Sequence, residues 1–160
     1  MPREHGAWAF LTAPILVGGL VGGWSLHQLP LALTAVAAYL TFNAATWWAK
    51  MPPRRRGDTV EPLVGYGAAT AVGGLVVGSL AGWQVIGWLV VLCLPLVLSW
   101  WLAKHGQVRS LLSGLSTALS AALLSMVAAR PDIVAFVTHP DPAVAVAALI
   151  TFGYLGGTVF

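Results

Sequence analysis

Residues 6–49 read GAWAFLTAPILVGGLVGGWSLHQLPLALTAVAAYLTFNAATWWA, a stretch without a single Asp, Glu, Lys or Arg. Three more charge-free stretches follow, Pro62–Ala103, Ser110–Ala129 and Pro142–Phe160. With 58% apolar and 8% charged residues, the chain has too little polar surface to cover a soluble core. Each crossing of a bilayer needs roughly 20 apolar residues, and the 160-residue chain has room for about six. The expected fold is all-α: a polytopic transmembrane bundle of about six helices near 7–25, 30–49, 62–81, 84–103, 110–129 and 142–160. It forms one domain over residues 1–160, with no separate soluble part. A β-barrel needs polar and apolar residues in alternation, and Val85-Ile86-Gly87-Trp88-Leu89-Val90-Val91-Leu92 has none.

The breaks have local causes. Pro30 falls in the first turn of the second helix, where its missing N–H costs little. Met51-Pro52-Pro53 stops that helix, and Pro62 suits the start of the third. Ala81-Gly82-Trp83-Gln84 is a very short connection that predicts an antiparallel hairpin. Arg130-Pro131-Asp132 ends the fifth helix, and Asp141-Pro142 supplies a cap and a proline for the next. Ile133–Thr138, between them, is apolar and suits the membrane interface. The N-terminus has little charge before its apolar segment and no clear cleavage site, so the first helix is expected to be retained.

Six alternating spans allow the loops to be counted. With a cytoplasmic N-terminus, Arg3, Lys50, Arg54, Arg55, Arg56, Lys104 and Arg109 lie inside and only Arg130 outside. Seven of eight basic residues on one side fix that orientation by the positive-inside rule. Trp24, Trp47, Trp48, Trp83, Trp100 and Trp101 fall near helix ends, as interfacial tryptophans do. The formal charge of +3 therefore points to anionic lipid headgroups at the cytoplasmic face and away from nucleic acid.

Two segments recur. Val17–Trp24 is echoed from Val72 to Gly78, and Thr46-Trp47-Trp48-Ala49-Lys50 by Ser99-Trp100-Trp101-Leu102-Ala103-Lys104. The close offsets admit a duplicated hairpin, although glycine-rich starts and Trp-Trp-Lys ends suit any membrane hairpin. Glycines four apart, Gly18 with Gly22, Gly74 with Gly78, and Gly153 with Gly157, share helical faces and are candidate packing positions. The alternative use of such faces is room for a flat or isoprenoid-like ligand. Ser113, Ser116, Thr117 and Ser120 form a hydroxyl stripe suited to inter-helix hydrogen bonds or to a polar cavity wall.

No charged residue and no histidine falls at mid-membrane depth, which disfavours proton pumps, cation transporters and voltage sensors. Asn43 is the most polar group away from a helix end. The polar chemistry gathers at the cytoplasmic rim, where Arg3, His5, Lys50, Arg54, Arg55, Arg56, Lys104 and Arg109 are candidates for an anion or headgroup site. Guanidinium forks suit phosphate, and His5 suits proton transfer. Cys93 is single and lies in an apolar run, as a structural thiol does. No cofactor or metal motif is present.

The start Pro2-Arg3-Glu4-His5-Gly6-Ala7-Trp8-Ala9, followed by Pro14 and a glycine-rich helix, resembles the YwiC-like family of bacterial integral membrane proteins. Trp48-Ala49-Lys50 with the basic Pro52–Arg56 turn adds to the likeness, as does Phe152–Phe160, so that it spans essentially the whole chain. The resemblance implies a multi-pass protein of the bacterial cytoplasmic membrane and carries no activity with it. Family members continue past this point, which makes the chain look C-terminally incomplete or short. Members also tend to carry an acidic residue and an Asn-Asp pair near the fifth helix, where this chain has Val108, Ser113 and Gly114.

A more distant likeness is to UbiA-type prenyltransferases, which use Asp-rich cytoplasmic loops to hold diphosphate through Mg²⁺. The loop Lys50–Glu61 offers only Asp58 and Glu61. The expected function is therefore binding of a lipid or an isoprenoid- or quinone-like ligand, or support of a membrane complex, with membrane proteins or a second copy as possible partners. A UbiA-like transferase with degenerate Asp motifs and a small-solute transporter are the alternatives.

Overall fold

The computed structural model describes residues 6–107 and 110–157. These form seven α-helices: α1 (Gly6–Gly22), α2 (Gln28–Lys50), α3 (Val60–Ala81), α4 (Ile86–Lys104), α5 (Leu111–Ala129), α6 (Ile133–Thr138) and α7 (Pro142–Gly157). Short 3-10 turns, Pro53–Thr59 and Trp83–Val85, precede α3 and α4. No strand occurs among the described residues. The fold is an all-α helical bundle.

Several boundaries differ from the sequence reading. α1 stops at Gly22 because the next residue, Gly23, turns the chain with φ +85°. α2 starts at Gln28, which leaves Pro30 in its first turn, and α3 starts at Val60, ahead of Pro62. Ile133–Thr138 is a helix of its own, begun by Asp132, whose carboxylate accepts from the N–H groups of Val134 and Ala135 at 2.9 and 3.0 Å. Ser110 caps α5 in the same way, accepting from the Ser113 N–H at 3.2 Å.

α2, α4, α5 and the helical segment ending in α3 are long and apolar enough to cross a membrane. α1 and α7, expected as spans of about 20 residues, have 17 and 16 described residues and are shorter. The distribution of side chains tells the same story. Leu33, Leu89, Val90, Leu94 and Val97 are exposed, whereas Ser99, Ser113, Ser116 and Ser125 are buried. Water would drive the opposite sorting. The chain is a membrane protein whose surface is built for lipid.

Helix α5 is the centre of the bundle, packed by α1, α4 and α7. Gly18 and Gly22 bring α1 against its C-terminal half. A Cβ on Gly18 would come within 2.5 Å of the Ala128 methyl, and one on Gly22 would overlap the Ala129 backbone. α4 crosses α5 at a buried pair of hydroxyls, Ser99 and Ser116, 2.6 Å apart. α7 seats Leu155 against Ala118 and Ala121.

The short connection after Ala81 joins α3 to α4 without packing the two helices along each other. Gly82 has φ +93°, and the contacts of α3 with the following chain concentrate at Trp83–Val85. α3 packs along α2 instead. Thr41 meets Thr70 at 3.0 Å, and Gly73 lies against Thr34. α3 is thus peripheral, with only Val77 and Gly78 buried.

One end of the bundle gathers the starts of α2 and α4 and the ends of α1, α3 and α5. Leu31, Val77, Val85, Trp88, Val127 and Ala128 form its apolar core. The last carbonyls of α5 have no partners within their own helix and are buried here, so they need donors from elsewhere. Gln28, itself buried, donates its amide to Ala128 O at 3.1 Å and to Gly23 O at 2.8 Å. His27 Nε2 lies 3.3 Å from the same Ala128 oxygen, which makes Nε2 the protonated nitrogen and leaves Nδ1 to accept from the Ser25 hydroxyl. Trp88 donates its indole N–H to Arg130 O at 3.1 Å.

Candidate functional site

The opposite end of the bundle carries the basic residues singled out in the sequence. Lys50 closes α2, Arg54, Arg55 and Arg56 occupy the 3-10 turn, and Lys104 closes α4. Cations at helix C-termini meet the partial negative charge of unpaired carbonyls, which favours this placement. Arg3, His5 and Arg109 lie outside the described residues.

The described cations divide into two sets. Arg56 lies 4.8 Å above the Trp48 ring and donates from Nε to Met51 O at 3.3 Å, tying the 3-10 turn to the end of α2. Lys104 lies 5.7 Å from the Trp100 ring centre. Each echoed Trp-Trp segment therefore uses one indole to hold a cation and leaves the other, Trp47 or Trp101, exposed. The side chains of Lys50, Arg54 and Arg55 are exposed and make no hydrogen bond or ion pair among the described residues. Their charges remain available to a ligand.

No hydrogen bond, ion pair or ring contact among the described residues joins the Lys50–Arg56 group to Lys104. The carboxylates near the turn, Asp58 and Glu61, are exposed and form no ion pair among the described residues. The ion pair among the described residues is at the other end, where Arg130 donates to Asp141 at 3.1 Å. That hydrogen bond, helped by the Ala143 N–H, lowers the Asp141 pKa from its ordinary 3.8. Arg130 and Asp132 also line an open cleft of about 320 Å³ with Phe136 and His139.

The candidate packing glycines fall in different places. Gly18 and Gly22 meet α5, and Gly78 is buried beneath the Trp83 ring, 3.0 Å from a Cβ built on it. Gly74, Gly153 and Gly157 are exposed with nothing within 4 Å of such a Cβ. Two close approaches fall on glycines that the four-residue spacing did not select, Gly73 on Thr34 and Gly87 on Ile133. In the hydroxyl stripe, Ser116 bonds across to α4, while Thr117 and Ser120 donate to carbonyls of their own helix.

Sequence reading missed the hydroxyl of Thr46, which is shielded from solvent and has no hydrogen-bond partner. Its position one turn inside Lys50 was visible, but threonine ordinarily bonds its own helix and so gave no signal.

A family model described as "YwiC-like protein" matches residues 1–129. The chain belongs to the YwiC-like family. The match takes in α1–α5, and therefore the central helix with its α1 and α4 contacts and the whole basic end. It stops before α6 and α7, so the likeness drawn from Phe152–Phe160 lies beyond it. No curated protein and no solved structure matches the chain.

Proposed function

We propose that this YwiC-like protein is a multi-pass protein of the bacterial cytoplasmic membrane whose basic end faces the cytoplasm and holds phosphate-bearing lipid headgroups. The observation that carries the reading is the pair of exposed, unpartnered guanidiniums on Arg54 and Arg55, next to Lys50. Arginine forks match phosphate oxygens geometrically, and each basic residue near an anionic surface contributes about 1 kcal/mol. Trp47 and Trp101 at the same end are exposed, as residues at headgroup level are.

Charge asymmetry supports the orientation. The described residues at this end include Lys50, Arg54, Arg55, Arg56 and Lys104 against Asp58 and Glu61, whereas the opposite end has Arg130 against Asp132 and Asp141. The role is binding and support within the membrane; isoprenoid phosphates share the chemistry of the site.

Native mass spectrometry of the detergent-extracted protein tests this reading. The wild type is expected to retain phosphatidylglycerol in preference to phosphatidylcholine, and the triple variant R54Q/R55Q/R56Q to lose that preference. Equal retention of the anionic lipid by both proteins overturns it.

A further inference from the structure

Arg130 and Asp132 stand two residues apart between α5 and α6, and both line the open cleft of about 320 Å³ that also contains Phe136 and His139. The guanidinium pairs with Asp141 at the start of α7 at 3.1 Å, whereas the Asp132 carboxylate makes no ion pair among the described residues. Two opposite charges thus share a cleft without closing on each other. The space between them suits a ligand that carries both signs.

The hydrogen-bonding capacity left in the cleft has a definite sense. A guanidinium has five N–H donors, and Arg130 gives one of them to Asp141. Asp132 accepts from Val134 and Ala135 through Oδ1 alone, so Oδ2 has no hydrogen-bond partner among the described residues. The state of His139 is decided by its neighbour. The single hydrogen of the Thr138 hydroxyl is donated back toward Val134 O and Ala135 O at 2.9 and 3.3 Å. His139 Nδ1, 3.1 Å from Thr138 Oγ1, must therefore be the donor of that contact. The neutral ring carries its hydrogen on Nδ1 and leaves Nε2 as an acceptor. The cleft offers donors on Arg130 and two acceptors, Asp132 Oδ2 and His139 Nε2.

Buried Trp88 holds the cleft in shape. Its indole N–H donates to Arg130 O at 3.1 Å, and its ring meets Phe136 with centroids 5.6 Å apart. Ile133, at the start of α6, lies against Gly87 at the start of α4. The same short helix leaves Val134 and Val137 exposed beside the cleft. An exposed apolar strip next to a charged mouth suits an amphiphile, with its headgroup in the cleft and its chains along α6.

We propose that this cleft binds the headgroup of phosphatidylethanolamine, with the phosphate on the Arg130 guanidinium and the primary ammonium held by Asp132 Oδ2 and His139 Nε2. Guanidinium donors match phosphate oxygens, and a primary ammonium has N–H groups for both acceptors. The choice among headgroups follows from the same atoms. Phosphatidylglycerol brings a phosphate and no cation, so Asp132 stays unmatched. Phosphatidylcholine brings a cation without N–H groups, so both acceptors stay unpaired, and a site built to hydrogen-bond rejects the analogue that cannot. Phe136 is one ring, whereas a quaternary ammonium is held by a cage of several. The cleft is at the opposite end of the bundle from the arginine turn and shares no residue with it. It therefore stands or falls separately from the reading of that turn.

The test mixes the full chain in detergent with equal amounts of phosphatidylethanolamine and phosphatidylcholine of identical acyl chains and reads bound lipid by native mass spectrometry. The wild type is expected to retain phosphatidylethanolamine about threefold or more over phosphatidylcholine, the ratio that one partly exposed ion pair gives. Asp132→Asn keeps the oxygen that caps α6, removes the charge, and should bring the ratio to about one. His139→Ala removes an exposed side chain outside the packed core and should lower the ratio with the fold intact. R54Q/R55Q/R56Q should leave the ratio unchanged. A wild-type ratio of one overturns the proposal, as does a preference that survives either cleft variant or vanishes with the rim arginines. Displacement of the lipid by an equal concentration of free phosphoethanolamine would assign the cleft to a soluble zwitterion and also overturn it.

Discussion

The hydroxyls of Ser99 and Ser116 lie 2.6 Å apart, buried between α4 and α5, and Ser116 also approaches Ser113 O at 2.9 Å. With one hydroxyl hydrogen each, Ser116 can serve the Ser113 carbonyl while Ser99 donates to Ser116. This is an inter-helix hydrogen bond in a setting where no hydrophobic force holds helices together. A double-mutant cycle with Ser99→Ala and Ser116→Ala should give a coupling of about 0.6–2 kcal/mol, read from unfolding in mixed micelles. A coupling of zero removes the pair from the forces that join α4 to α5.

Close approach of α1 to α5 requires hydrogen in place of a side chain at two positions. Gly18→Ala and Gly22→Ala each drive a methyl into α5 backbone, and each should destabilise by about 1–3 kcal/mol. Gly74→Ala and Gly153→Ala have open space in front of them and should be neutral or slightly stabilising, since alanine favours helix by about 1 kcal/mol over glycine. The thermal midpoints of the four variants in detergent distinguish packing glycines from exposed ones.

Gln28 holds the C-terminal end of α5 by donating to Ala128 O. Gln28→Leu preserves bulk and removes the donor, and leaves His27 as the remaining side-chain donor to that oxygen. The expected loss is about 1–3 kcal/mol. Gln28→Glu should be at least as damaging, because a carboxylate can only accept and would face a carbonyl oxygen. Chemical denaturation of the two variants checks the order.

The Arg130–Asp141 ion pair links the end of α5 to the start of α7 and gives the stability a pH dependence. Asp141 is an acid whose folded pKa lies below its ordinary 3.8, chiefly through the hydrogen bond from Arg130. Its contribution is present above that ordinary value and is lost as pH falls through the lower folded value. Asp141→Asn keeps an N-cap oxygen for the Ala143 N–H and removes the charge. The stability difference between wild type and Asp141→Asn should be constant above pH 5 and shrink toward pH 3, the exposed pair being worth little in absolute terms.

Much of this arrangement was legible in local sequence because its causes are local. The absence of charge from Gly6 to Ala49 requires helix in lipid, and Asp141, read as a cap, accepts from the Ala143 N–H at the start of the helix that follows it. What was not legible depends on partners far along the chain. Gln28 and Ala128 are 100 residues apart, so nothing near Gln28 announces its role. Four-residue glycine spacing selects a face and not a neighbour, which is why Gly22 meets α5 while Gly153 meets nothing. The short connection at Gly82 joins α3 to α4, but its length does not say that α3 prefers α2. At the basic end, the sequence supplied the cations and not their division into indole-bound and unpartnered sets.

The side of the membrane that the basic end occupies decides whether its cations meet cytoplasmic lipid headgroups. In a Cys93→Ser background, single cysteines at Gly57, exposed in the basic turn, and at His139, exposed beyond α6, report the two ends to a membrane-impermeant maleimide applied to intact cells. The cysteine at 139 is expected to react in intact cells, and the one at 57 only after the membrane is opened. Labelling at 57 in intact cells, with protection at 139, would contradict a cytoplasmic basic end.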